Sequence, residues 1–230
     1  MSQEQNAKPI ECIGFILDGN RRWAKEKGLP QLEGHRRGFE NLKSAARWVH
    51  ARGIPHMVVY AFSTENWNRS EEEVAYLMDI YRGMIRSCIE ELGKEGIRTR
   101  FIGQRERFAD DIQKSMLEAE KETEANTSMS LWIGLSYGSR AEIVEAAQTL
   151  AMANTEITDD SLRGAFWSAE MPDPDIIVRS GGEQRLSNFL LWQAAYSELF
   201  FLRPYWPDFD EEALDSVLAE YAARERRRGK

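Results

Sequence analysis

Short apolar runs recur along this chain with room for a helix between successive runs: Cys12 to Leu17, Met57 to Phe62, Ile97 to Ile102, Met129 to Leu135, Ile176 to Val178 and Leu199 to Leu202. Runs that are apolar throughout suit strands buried on both faces, and amphipathic stretches between them supply the cover. The pattern predicts an α/β fold with a mostly parallel sheet and helices on both faces. The clearest helix begins after Ser70, where Ser-Glu-Glu-Glu offers an N-cap and a capping-box glutamate, Glu73. Val74, Leu77, Tyr81, Met84, Ile85, Cys88, Ile89 and Leu92 then follow a three-and-four spacing, and Gly93 and Gly96 end the helix before the next strand. Its apolar stripe fits either ordinary core or the wall of a tunnel for a greasy ligand, and Met57, Met78, Met84 and Met129 suit both uses.

With 230 residues, 42% of them hydrophobic, the chain can bury one substantial core. It shows no repeat, low-complexity linker or proline-rich boundary, so the expectation is one domain over 1–230 with flexible ends at 1–9 and 225–230. A formal charge of -8 argues against a general nucleic-acid binder, which needs a basic face. Cys12 and Cys88 have no metal-ligand spacing and Met1 to Ile10 has no charged-then-apolar leader, so a cytoplasmic setting is expected. The longest apolar-rich stretch, Asn188 to Leu202, is broken by Gln193, Ser197 and Glu198; any membrane contact is therefore expected to be peripheral. The terminal arginines Arg224, Arg226, Arg227 and Arg228 read as a solvated helix end or a disordered tail rather than a site.

Three segments carry chemistry, and each follows an apolar run, where open α/β sheets bind ligands. In the first, Asp18-Gly19-Asn20-Arg21-Arg22-Trp23-Ala24, a carboxylate suited to a metal opens into a helix start and two guanidinium groups suited to a phosphate. The second, Phe62-Ser63-Thr64-Glu65-Asn66-Trp67-Asn68-Arg69, offers hydrogen-bonding groups at Ser63 and Asn66, a wall at Trp67 and a phosphate contact at Arg69; it also reads as a plain loop capping the next helix. In the third, Arg179-Ser180-Gly181-Gly182-Glu183-Gln184-Arg185-Leu186-Ser187-Asn188-Phe189, a glycine pair flanked by Arg179, Arg185 and Ser187 reads as an anion cradle. His35 lies in a basic segment and could donate to a phosphate. Glu198 reads as a second metal ligand or a strand-edge charge. No P-loop, dinucleotide fingerprint or aspartate-rich D-D-x-x-D box is present, which sets aside nucleotide triphosphatases, Rossmann dehydrogenases and all-helical trans-prenyl synthases.

These segments, in this order and from about Ile13 to Arg228, resemble the cis-prenyltransferase family, most closely its bacterial undecaprenyl diphosphate synthase branch; Trp206-Pro207-Asp208-Phe209 is similar to the family's ending. The resemblance implies a homodimer whose subunits have a central, mostly parallel six-stranded sheet surrounded by helices, with a hydrophobic tunnel. It implies Mg2+-dependent sequential condensation of isopentenyl diphosphate onto an allylic diphosphate, commonly farnesyl diphosphate, giving a medium- or long-chain polyprenyl diphosphate such as the undecaprenyl lipid carrier of cell-wall synthesis. By motif match Asp18 would be catalytic and hold the metal with help from Glu198, and Asn66 would handle the departing proton. Gly19, Asn20, Arg21, Arg22, Trp23 and His35 would serve the allylic diphosphate, and Arg179, Arg185, Leu186 and Ser187 the isopentenyl diphosphate. Ser63, Thr64, Glu65, Trp67 and Arg69 would complete the site. The implied setting is cytoplasmic, with peripheral contact at the inner face of the membrane for product release and no nucleic-acid partner. Gln31, Gln184 and Ser136-Tyr137-Gly138-Ser139-Arg140 depart from the common pattern, and small Ala61 points to an open tunnel and a longer product. The alternatives are a non-catalytic subunit of the same fold and a metal-dependent phosphohydrolase using Asp18 and Glu198.

Overall fold

In the computed structural model, which describes residues 9–224, each apolar run forms a strand: β1 (Cys12–Ile16), β2 (His56–Ser63), β3 (Ile97–Ile102), β4 (Met129–Tyr137), β5 (Ile176–Arg179) and β6 (Glu198–Phe201). The ends expected to be flexible, 1–9 and 225–230, lie outside the described residues apart from Pro9. The strands form one sheet in the order β3-β4-β2-β1-β5-β6, and every neighbouring pair is parallel. All strands therefore end at the same edge. Ile16 pairs with Tyr60 on one side and Arg179 on the other, so the segments leaving β1, β2 and β5 emerge side by side.

The helices are α1 (Asn20–Glu26), α2 (Gln31–Ala51), α3 (Glu71–Glu90), α4 (Asp110–Glu122), α5 (Ser139–Met152), α6 (Asp159–Gly164) and α7 (Glu211–Ala223). On one sheet face Ile13, Phe15, Val59 and Ile133 pack with Leu42 and Val49 of α2, Met84 and Ile85 of α3 and Met116 of α4. The other face differs from the expected helical cover. There Val58, Tyr60, Trp132 and Ile177 pack largely on Met171, Phe189 and Leu190, which lie in irregular backbone between α6 and β6. Large side chains brought in at irregular spacing bury this face without helical periodicity.

Ser70 caps α3 as expected, its hydroxyl accepting the Glu73 N–H at 3.3 Å. The Glu73 side chain does not close a capping box but turns toward the ligand edge. The helix also stops earlier than its apolar spacing suggests: Glu90 is its last residue, Leu92 is buried in a 3-10 turn (Leu92–Glu95), and Gly96 turns the chain into β3. Strand β3 has a neighbour on one side only, and its outer backbone groups are met by side chains. The Thr99 N–H donates to Thr123 Oγ1 at 2.9 Å and the Phe101 N–H to Glu120 Oε1 at 2.9 Å, while Asn126 Nδ2 donates to the Ile97 carbonyl at 3.0 Å and Arg105 Nη2 to the Phe101 carbonyl at 2.7 Å. Helix α1 lies against α2 at Gly34 and Gly38, where a Cβ would fall inside van der Waals contact of Asn20.

Candidate active site

A cavity of about 610 Å³ opens at the carboxyl edge of the sheet and runs down between the sheet and helices α2 and α3. Its mouth is polar, lined by Asp18, Asn20, His35, Ser63, Glu65, Asn66, Arg69, Arg179, Arg185 and Ser187. Its depth is apolar, lined by Phe39, Leu42, Ala61, Leu77, Ile80, Tyr81 and Met84. The stripe on α3 thus serves both uses the sequence left open: Leu77, Tyr81 and Met84 belong to the core and also wall the cavity. An adjoining cavity of about 420 Å³ is lined by Asp18, Gly19, Asn20, Arg21, Arg22, His35 and Arg69.

Asp18 stands between two cations. Its Oδ2 accepts from Arg179 Nη2 at 2.8 Å, and its Oδ1 lies 3.1 Å from Arg22 Nη2 and accepts the Gly19 N–H at 2.6 Å. Burial alone would push this carboxyl up, but the bond from Arg179, the charges of Arg179 and Arg22 and the Gly19 amide together hold it below the usual aspartate range. It is ionised at neutral pH. The backbone around it is fixed from β5: the Ser180 hydroxyl accepts the Asp18 N–H at 3.1 Å and donates to the Asp18 carbonyl at 2.8 Å. Gly19 and Gly181 both adopt positive φ, 98° and 84°. At Gly181 a Cβ would lie 2.8 Å from Arg22 Nη2, so the glycine lets the turn after β5 close on the Asp18 segment.

Arg179 Nη1 donates to Ser187 Oγ at 2.8 Å and to the Arg185 carbonyl, tying the cradle to the strand end. On the other side Glu73 gathers three cationic or donor groups: His35 Nε2 at 3.3 Å, Arg69 Nη1 at 2.8 Å and Arg21 Nη1 at 3.4 Å. Burial and the neighbouring Arg69 push the His35 imidazole down, against the pull of Glu73, so it is neutral near pH 7. Gln31 accepts from Arg21 Nε at 3.2 Å and helps to hold that side chain. Asn66 Oδ1 accepts the Ser63 N–H at 3.0 Å, and this pair caps the turn (Thr64–Asn68) that follows β2.

Five residues expected in the site are placed elsewhere. The Trp23 indole donates to Asp208 Oδ1 at 2.7 Å. Trp67 donates to Ser136 Oγ at 2.9 Å and packs its ring on Phe62 and Phe108. Thr64 Oγ1 donates to Glu65 Oε2 at 3.1 Å, and Leu186 packs on the second sheet face. Glu198 is the first residue of β6 and pairs with Ile176, at the amino edge of the sheet; Asp18 follows the carboxyl end of β1. Its carboxylate accepts from Arg224 Nη1 at 2.7 Å, so within the chain it does not share a metal with Asp18. Arg224 is correspondingly not a solvated charge, since it also lies 4.1 Å over the Phe200 ring. Sequence reading passed over Glu73 as a site residue, together with Ser180, Tyr60 and Asn188. Glu73 stood in a capping pattern and Ser180 in a glycine turn, and those local roles masked the long-range ones.

Among the described residues no three His, Cys, Asp or Glu side chains form a metal cluster. Asp18 is fit to hold a cation, being ionised and on the cavity wall. One carboxylate suits Mg2+, which commonly completes its shell with substrate phosphate oxygens and water.

The family described as "Putative undecaprenyl diphosphate synthase" matches residues 16–229. The chain belongs to the undecaprenyl diphosphate synthase family. Among relatives of this synthase family, the isoprenyl transferase of Agrobacterium fabrum is 45% identical, covering 95% of this chain and 92% of its own length. The isoprenyl transferase of Thermotoga maritima is 41% identical, covering 94% and 95%. Among solved structures, lavandulyl diphosphate synthase from Lavandula x intermedia, in complex with dimethylallyl diphosphate, superposes with a TM-score of 0.89 at 33% identity, over 96% of this chain and 98% of the other. A probable undecaprenyl diphosphate synthase from Campylobacter jejuni gives 0.83 at 26% identity, over 96% and 99%. This member of the synthase family is a prenyl-transferring enzyme, with the parallel six-stranded sheet of its structural relatives. No helix among its described residues is long and apolar enough to cross a membrane.

Proposed function

We propose that the enzyme condenses isopentenyl diphosphate repeatedly onto an allylic diphosphate, farnesyl diphosphate being the expected primer, to build a cis-polyprenyl diphosphate of medium or long chain such as undecaprenyl diphosphate. The observation that carries this reading is the union in one cavity of a basic, hydrogen-bonding mouth and an apolar depth, which fits a substrate with a diphosphate head and a growing hydrocarbon tail. Arg21 and Arg22 are the proposed grip on the allylic diphosphate, with His35, whose Nε2 faces Glu73, lining the same mouth. Arg179, Arg185 and Ser187 are the proposed grip on isopentenyl diphosphate. Guanidinium groups suit both tasks because their donors match phosphate oxygens in pairs.

In each round the allylic carbon–oxygen bond breaks and diphosphate leaves. A carbon–carbon bond forms from the isopentenyl double bond, and one proton is lost. Magnesium held at Asp18 would supply charge neutralisation for the departing diphosphate. Arg22, already paired with Asp18, is the proposed partner of that growing negative charge, and Arg179 holds Asp18 from the isopentenyl side. Asn66 is the proposed handler of the lost proton, and the apolar walls keep water from the allylic carbon. The proposal extends to a homodimer in the cytoplasm, with peripheral membrane contact when the long product leaves.

The test is incubation with Mg2+, farnesyl diphosphate and radiolabelled isopentenyl diphosphate, with products separated by chain length and a chelator-treated arm beside it. Label in an apolar polymer that disappears with chelation is the expected result. Free phosphate in its place would indicate a phosphohydrolase, and no turnover would indicate a non-catalytic subunit.

A further inference from the structure

The isopentenyl cradle and the segment that follows β2 come from distant parts of the chain, and one side chain joins them. Asn188 Nδ2 donates to Glu65 Oε1 at 2.9 Å, in the segment after β2, and Asn188 Oδ1 accepts the Arg140 N–H at 2.9 Å, at the start of α5. Both partners are unambiguous in polarity, since a carboxylate only accepts and a backbone amide only donates, so the orientation of the amide is fixed by chemistry. The Asn188 carbonyl also accepts the Ser139 N–H at 2.9 Å. The approach is close: a Cβ on Gly138 would lie 2.5 Å from Thr64 Oγ1 and 2.8 Å from Asn188 Nδ2.

The backbone here is bent to make these bonds. Ser187, Asn188 and Leu190 all have positive φ, at 49°, 67° and 46°. Non-glycine residues rarely occupy this region, asparagine most readily, and strain of this kind persists where surrounding contacts over-determine it. The residue immediately before Asn188 is Ser187, whose hydroxyl bonds Arg179 in the isopentenyl cradle.

We propose that Asn188 is a positioning residue that locks the isopentenyl cradle to the Glu65 segment and so sets how isopentenyl diphosphate faces Asn66. The proposal rests on the transferase reading above. It adds a coupling between the isopentenyl grip and the Asn66 segment, carried by one amide that matches an acceptor on one side and a donor on the other. The bond from Asn188 also helps to hold Glu65 ionised despite its partial burial.

The experiment is a polarity swap. N188D keeps the acceptor for Arg140 but turns a carboxylate toward Glu65, and E65Q added to it restores a donor–acceptor pair in reverse. N188D should lower kcat/KM for isopentenyl diphosphate by about 100-fold, the usual scale for a displaced reactant, with faster amide exchange in both 63–69 and 185–190. N188D/E65Q should return to within about threefold of E65Q alone and regain protection in both segments. Multiplying losses without rescue, or unchanged exchange over 63–69 in N188D, would overturn the proposal. Should N188D fail to fold, N188G keeps the left-handed backbone without either side-chain bond: loss of protection in both segments supports the coupling, and retention in 63–69 defeats it. If the wild-type protein makes no polymer, the transferase reading falls, and the exchange data alone decide whether Asn188 couples the segments.

Discussion

Asp18 touches Arg179, Arg22 and its own following amide at once, so its removal takes a carboxylate from two guanidinium groups as well as from the proposed metal. The expected outcome for Asp18→Ala is a fall in kcat of about 1000-fold or more with KM values changed only several-fold, because the carboxylate matters most as diphosphate charge develops. Steady-state kinetics with each substrate varied in turn measures this, and equal losses in binding and turnover would contradict it. The depressed acidity of Asp18 also has a stability signature. Below about 3.8, the ordinary aspartate value, the unfolded chain takes up a proton that the folded protein still refuses, so stability rises with pH across that window and is lost as pH falls through the folded value. Urea titrations on acidification from about pH 5 to about pH 3 should therefore fall more steeply for the wild type than for Asp18→Asn. Residue types and their strand-end positions were legible for Asp18, Arg179 and Ser187. The direction of a side chain was not: Trp23 and Trp67 stand within the motifs but spend their indole N–H groups on Asp208 and Ser136. Glu73 was hidden for the opposite reason, because its partners His35 and Arg21 lie on other helices.

Helix α1 carries Arg21 and Arg22, the proposed diphosphate grip, and its seat on α2 depends on two missing methyl groups. At Gly34 an added Cβ would press on the backbone carbonyl of Asn20, which cannot swing aside. Gly34→Ala gains helix propensity of up to about 1 kcal/mol, yet overpacking costs about 1–3 kcal/mol, so the expected net effect is destabilising. Gly83→Ala on the exposed face of α3 meets nothing within 4 Å and should instead stabilise by up to about 1 kcal/mol. Denaturant midpoints for the two variants should move in opposite directions, and a shared direction would refute the packing argument. Most strands were readable as compact apolar runs, while β3 alternates its apolar residues with Arg98 and Arg100. The end of α3 was not, since Leu92 is buried from a separate turn at a spacing that mimics continued helix. The cover of the second sheet face was equally opaque, because irregular segments carry no period to read.

Across the whole molecule, under the proposed function the cavity would set how much hydrocarbon can follow the head group inward. Ala61 lies on its wall, and Tyr81 fixes that stretch by donating to the Ala61 carbonyl at 2.9 Å. Ala61→Leu would fill space on the path of the tail while leaving the mouth intact. The expected result is a product distribution shifted to shorter chains with the first condensation slowed less than about threefold; chromatography of labelled products measures both, and an unchanged distribution would place the length limit elsewhere. The parallel order that gathers the ligand edge followed from the alternation of strand and helix, whereas the register bringing Ile16 beside Arg179 had no local sign, being set by pairing across more than half the chain. The blocked outer side of β3 bears on assembly. A sheet with both margins open can add copies indefinitely, and side chains from α4 and the turns beside it remove one of those margins. The β3 margin is therefore shut against edge-to-edge stacking of copies.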